Sequence, residues 1–197
     1  MGLFNELVTE LKGRVAHELL WGPVRKRRKL AETATNPSVS IFSAHPLDRP
    51  HFLSKWWDKM TDEQRAYNLI YVWKHMEIIE PFGGYEWWLY KFKELGYIPH
   101  ETIEKPTEPV MIYRGCKAES KLGMSWTTDP LIAEIFAGRG RNPSARKVYT
   151  TTVSPDQILA IVDGKLEIEA GGETVYSVEY IIDYQSLNEN LVKEYLC

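Results

Sequence analysis

The hydrophobic period changes once along this chain, and that change limits its folds more than any other feature. Up to about residue 105, apolar and aromatic side chains recur at helical spacing. Beyond it they fall into short β-branched and aromatic runs between turn residues. Six tryptophans (Trp21, Trp56, Trp57, Trp73, Trp87 and Trp88) precede residue 105, and Trp126 follows it. Charge shifts with the period: fifteen Lys and Arg face fourteen Asp and Glu up to residue 105, then nine face thirteen. The seam, His100-Glu-Thr-Ile-Glu-Lys-Pro-Thr-Glu-Pro109, is polar with two prolines and reads as a linker or strap. An α+β chain is expected, with a helical N-terminal region over 1–105 and a mostly β domain over 106–197.

In the first half, Leu3, Leu7, Leu11 and Val15 predict a helix that Gly22-Pro23 stops. Residues Thr33 to Pro50, with three prolines, read as an extended loop. Thr61-Asp-Glu-Gln64 is a capping box opening a helix with Tyr67, Ile70, Tyr71 and Ile78 on its pattern, ending before Pro81. A further helix from Tyr85 to Leu95 is closed by Gly96. The paired tryptophans fit a packed helical core.

Composition excludes several classes. A chain of 197 residues that is 44% hydrophobic and 26% charged has the makings of a folded core rather than a disordered or collagen-like polymer. No run reaches the roughly 18–20 apolar residues of a membrane span, and Met1 to Leu20 is too charged for a secretion signal. Two cysteines, Cys116 and Cys197, favour a reducing, cytoplasmic setting, and the scattered histidines have no zinc spacing, so no metal is expected.

In the second half, strands are predicted at Val110–Cys116, Gly123–Thr128, Lys147–Val153, Ile158–Val162 and Val175–Asp183. Asp129 caps a short helix through Phe136, with Pro130 at its first position and Gly138 and Gly140 after it. Gly171-Gly172 fits a hairpin turn. Alternation then isolates polar residues on three of these strands. Arg114 shares a face with Val110 and Ile112, so its guanidinium must leave the sheet for a groove or take an anionic partner. Ser125 and Thr127 share a face. Ser177, Glu179 and Asp183 point away from the stripe of Tyr176, Val178, Tyr180 and Ile182. Taken singly, these are a structural ion pair, an ordinary strand Ser-x-Thr and a solvated glutamate.

Their order and surroundings are more specific. Ile112-Tyr-Arg-Gly115, then Ser125-Trp-Thr-Thr-Asp-Pro-Leu-Ile-Ala-Glu-Ile-Phe-Ala137, then Val178-Glu-Tyr-Ile-Ile-Asp183 resembles the NAD-dependent ADP-ribosyltransferases of the Arg–Ser–Glu type, over about residues 109–184. The resemblance implies a split pair of small sheets and NAD as co-substrate. It also implies a catalytic Glu179, with Ser125 or Thr127 as the functional hydroxyl in the place of a Ser-Thr-Ser strand. A one-residue slip would turn Trp126 to the cleft instead. Arg114, with Tyr113 and Gly115, would lie against the dinucleotide, and Trp126, Tyr113 or Phe136 would flank the nicotinamide. By the same resemblance, Glu173, Tyr176 and Ser177 would contact the acceptor. Ser177 stands where that family often has Glu or Gln, so the acceptor is open: protein, nucleic acid or small molecule, with NAD glycohydrolysis when water takes its place.

Arg25-Lys-Arg-Arg-Lys29 supports a competing function. Five successive cations suit either a solvated helix or a contact with phosphates. The alternative is a non-catalytic protein that binds nucleic acid or a host factor through Arg25, Lys26, Arg27, Arg28 and Lys29, on an ADP-ribosyltransferase-like fold.

Overall fold

A computed structural model describes residues 24–76, 84–138, 145–170 and 173–196, and the side chains within them except over 165–176. The expected first helix with its Gly22-Pro23 stop, Gly140, and the Gly171-Gly172 turn lie outside these residues. Backbone contacts divide the chain into two units, Met1–Ile78 and Ile79–Cys197.

The first unit is helical. Helix α1 covers 24–33 and carries the five cations. The stretch expected as an extended loop instead holds α2 (Pro37–Ser43), a 3-10 turn (Pro46–Asp48) and α3 (Arg49–Trp56). Its prolines start helices rather than break them: Pro37 follows the Asn36 cap, Pro46 follows His45, and Pro50 sits in the first turn of α3. At those positions the missing amide would have had no helical partner. The Thr61 box forms as expected and opens α4 (Asp62–His75), with the Thr61 hydroxyl accepting from Gln64 and the Gln64 side chain accepting from Thr61. Ile41, Phe52, Leu53, Trp57, Leu69 and Val72 are buried.

The second unit opens with α5 (Gly84–Leu95), which Gly96 ends in the left-handed region at φ 71°. Strand β1 (Val110–Lys117) pairs with β3 (Arg146–Val153), which also pairs with β6 (Lys193–Glu194). Strand β2 (Ser125–Trp126) pairs with β5 (Glu173–Ile182), which pairs with β4 (Ile158–Ala170). All these pairings are antiparallel, giving two three-stranded sheets and an α+β chain. Between β2 and β3 runs α6 (Pro130–Gly138), opened by Asp129, whose carboxylate accepts from the Leu131 amide. Ile112, Cys116, Tyr149 and Val153 pack against Trp126, Ile161, Tyr180 and Ile182, so one core cluster draws on both sheets.

The polar seam is not the boundary between units. Ile98 bridges to Ala160 of β4, Ile103 packs on the core cluster, and His100 bonds to Asp163. Apolar anchors inside a polar stretch tie α5 and the seam to the sheets. Among the described residues, no helix is long and apolar enough to cross a membrane.

Candidate active site

The two sheets meet at β1 and β2. Tyr113 and Thr127 exchange both backbone hydrogen bonds, at 2.7 and 2.9 Å, and the strands pair no further. Backbone groups two residues apart on a strand face the same edge, so the Ser125 carbonyl also points toward β1 but finds no backbone donor there. Arg114 supplies one. Its Nη1 donates to Ser125 O at 2.6 Å, its Nε to Ser120 O at 3.0 Å and its Nη2 to the Tyr85 hydroxyl at 3.2 Å. The 118–125 segment wraps closely around this group: a Cβ on Gly123 would lie 2.5 Å from Nη2. The Trp126 indole closes the segment by donating to Gly123 O at 2.7 Å.

All three oxygens on Arg114 are uncharged, and the side chain is half-buried. Of the two alternatives for Arg114, the guanidinium leaves the sheet for the gap beside β2, and its oxygen partners there are carbonyls and a phenol rather than a carboxylate. Three of its five N–H donors are used on oxygen. The buried Cys116 thiol lies beside it. Burial pushes that thiol's pKa up, and the neighbouring guanidinium works against the rise.

The register of β2 settles which side chains share a face. Ser125 lies opposite Ile181 and Trp126 opposite Tyr180, so the next step sets Thr127 level with Glu179. Ser125, Thr127 and Glu179 therefore share one face, and Trp126 and Tyr180 the other. Arg114 leaves β1 on the second face, that of Ile112 and Cys116, and reaches the β2 edge only because the sheets split there. Thr127 is 6% exposed and its hydroxyl accepts from the Asp129 amide, coupling it to the α6 cap. Ser125 and Glu179 are half-buried, with Val162 of β4 opposite Glu179. Ile181 and Ala160 are fully buried on that same face, so the side predicted as polar is covered along part of its length.

The remaining expected contacts divide. Trp126 is 1% exposed in the core, so its ring does not flank an open cleft. Gly115 serves α6: a Cβ there would overlap the Ala133 carbonyl oxygen. Tyr113 stacks edge-on to Tyr195 at 5.0 Å, and half-buried Phe136 lies on α6 with its carbonyl accepting from Arg146. Ser177 is buried, its hydroxyl filling the space a Gly164 side chain would need. The side chains of Glu173 and Tyr176 lie outside the described ones. Arg25 to Lys29 are exposed on α1.

Two participants escape sequence reasoning. Tyr85 reaches Arg114 from α5 and packs on Tyr184, with ring centroids 5.7 Å apart. Gly123 makes room for the guanidinium. The sequence marks Tyr85 only as a helix start and Gly123 only as the first residue of an expected strand that the structure shortens to Ser125–Trp126, and neither pattern shows a contact with Arg114. Among the described residues, no three His, Cys, Asp or Glu side chains cluster as metal ligands. Comparison with protein-family models, curated proteins and solved structures found no match in any of the three.

Proposed function

We propose that the chain is an NAD-dependent ADP-ribosyltransferase with its catalytic centre at the β1–β2–β5 junction. The observation that carries this is Arg114, a half-buried guanidinium held by three neutral oxygens beside the strand of Ser125 and Thr127. Held in that way, the guanidinium is fixed with no carboxylate among the described residues bonded to it, and a pyrophosphate suits its planar fork better than it would suit an ammonium. The split of the chain into two small antiparallel sheets agrees with the fold expected of that family.

In the proposed reaction, the bond between ribose C1′ and the nicotinamide nitrogen breaks, and its electron pair leaves with nicotinamide. Positive charge spreads over the ribose as in glycoside hydrolysis. Glu179 stabilises that charge and holds the ribose hydroxyls, while Ser125 or Thr127 orients the ribose. An acceptor nucleophile then bonds to C1′ and loses its proton. With water as acceptor, the products are free ADP-ribose and nicotinamide. No step draws on a metal. A reducing, cytoplasmic compartment suits the buried free thiol of Cys116.

Nicotinamide release from NAD by the purified chain, with and without cell extract, tests the proposal. Glu179→Gln should lower the rate by about 10²–10⁴-fold. Equal rates in both proteins, or no NAD turnover by either, would overturn it.

A further inference from the structure

The helical unit holds a second feature that the NAD chemistry does not use. Arg49 is 8% exposed, its Nε has no hydrogen-bond partner, and its guanidinium carbon stands 5.0 Å from the centre of the Tyr71 ring. Tyr71 is also in contact with Phe42 at 4.1 Å and with His75 at 4.3 Å. Phe42 leads on to Tyr67 at 5.9 Å, and Tyr67 is 60% exposed. Arginine and planar rings thus form one cluster across α2, α3 and α4, with an open tyrosine at its end. The basic helix is bonded to this group: Ser40 on α2, two residues before Phe42, donates to Ala31 O of α1 at 2.6 Å.

Charge favours one kind of occupant. Residues 1–78 carry twelve Lys and Arg against nine Asp and Glu, whereas residues 79–197 carry twelve against eighteen. An exposed tyrosine held from behind by packed rings, in a unit that also carries a run of exposed cations, supplies a stacking face and phosphate contacts. We infer that the helical unit binds single-stranded nucleic acid. Bases stack at exposed Tyr67, which the Phe42–Tyr71–Arg49 group backs from within the unit, and phosphates meet the exposed cations of α1. Single strands are favoured over duplex because a paired base offers no free face to Tyr67.

Fluorescence anisotropy of labelled oligo-dT and oligo-rU with the full chain tests this, with a duplex and phosphatidylserine vesicles alongside. The strands should bind, with affinity falling steeply between about 50 and 200 mM salt. Tyr67→Ala should weaken binding by about tenfold or more without changing the salt slope, and Tyr67→Trp, which keeps a ring, should bind at least as tightly as the native chain. Lys26→Glu with Arg27→Glu should lower the salt slope by about two. Absence of strand binding at low salt, equal affinity of Tyr67→Ala and native protein, a preference for duplex, or binding to vesicles alone would each overturn the inference.

Discussion

A guanidinium bonded only to neutral oxygens is fixed in direction without being neutralised, and Arg114 combines those two conditions. Lysine in its place keeps the charge but cannot reach Ser120, Ser125 and Tyr85 at once, because an ammonium lacks the fork. Arg114→Lys should therefore cost about 1–2 kcal/mol in urea denaturation, and NAD turnover should fall further than stability does. Tyr85→Phe removes one acceptor only. Its expected cost is about 0.5–1.5 kcal/mol, and an unchanged urea midpoint would show that the Tyr85 bond contributes nothing. Glycine at 123 protects the same geometry. In Gly123→Ala the new methyl group meets the end of a flexible side chain, so the fold should survive while the guanidinium shifts.

At the scale of elements, position 115 differs from 123 in what surrounds it. A Cβ on Gly115 meets the backbone of α6, at the Ala133 carbonyl and the Ala137 amide, and a helix cannot yield as a side chain can. Gly115→Ala should therefore lower stability by about 1–3 kcal/mol, seen as a fall in Tm, whatever it does to activity. The contrast also shows what the sequence makes legible. Strands β1, β3 and β5, the Thr61 box and the Asp129 cap follow from short-range rules, and each stands within a residue or two of its expected place. The helices around Pro37, Pro46 and Pro50 do not follow from them, because a proline looks the same at a helix start as in a loop. The seam shows a related limit: Ile98 just before it and Ile103 within it are isolated apolar residues, and only β4 and the core cluster show what they anchor to. Of the candidate site, Arg114, Ser125, Thr127 and Glu179 were legible from alternation and order. The partners of Arg114 were not, since Tyr85 is 29 positions away.

Across the whole molecule, the second unit buries several groups that ionise only at alkaline pH. Burial pushes up the thiol of Cys116 and the phenols of Tyr97 and Tyr180. Smaller effects modify each rise: Arg114 opposes it at Cys116, Tyr180 adds to it at Tyr97, and a hydrogen bond with Thr128 opposes it at Tyr180. In each case the folded protein holds the proton more tightly than the unfolded chain. The associated stability is fully present below the unfolded pKa and is lost as pH rises through the folded one. Unfolding free energy should therefore be level near neutrality. It should start to decline above about pH 8.5, as the unfolded thiol ionises, and steepen above about pH 10 with the phenols. Cys116→Ala should flatten the first part of that decline and leave the second, which separates the thiol from the two tyrosines. Urea unfolding followed across this range gives the slope directly. A stability that stays flat or rises with pH would mean that these groups are open to water and that the packing between the sheets is looser than the buried Cys116 and Tyr180 require.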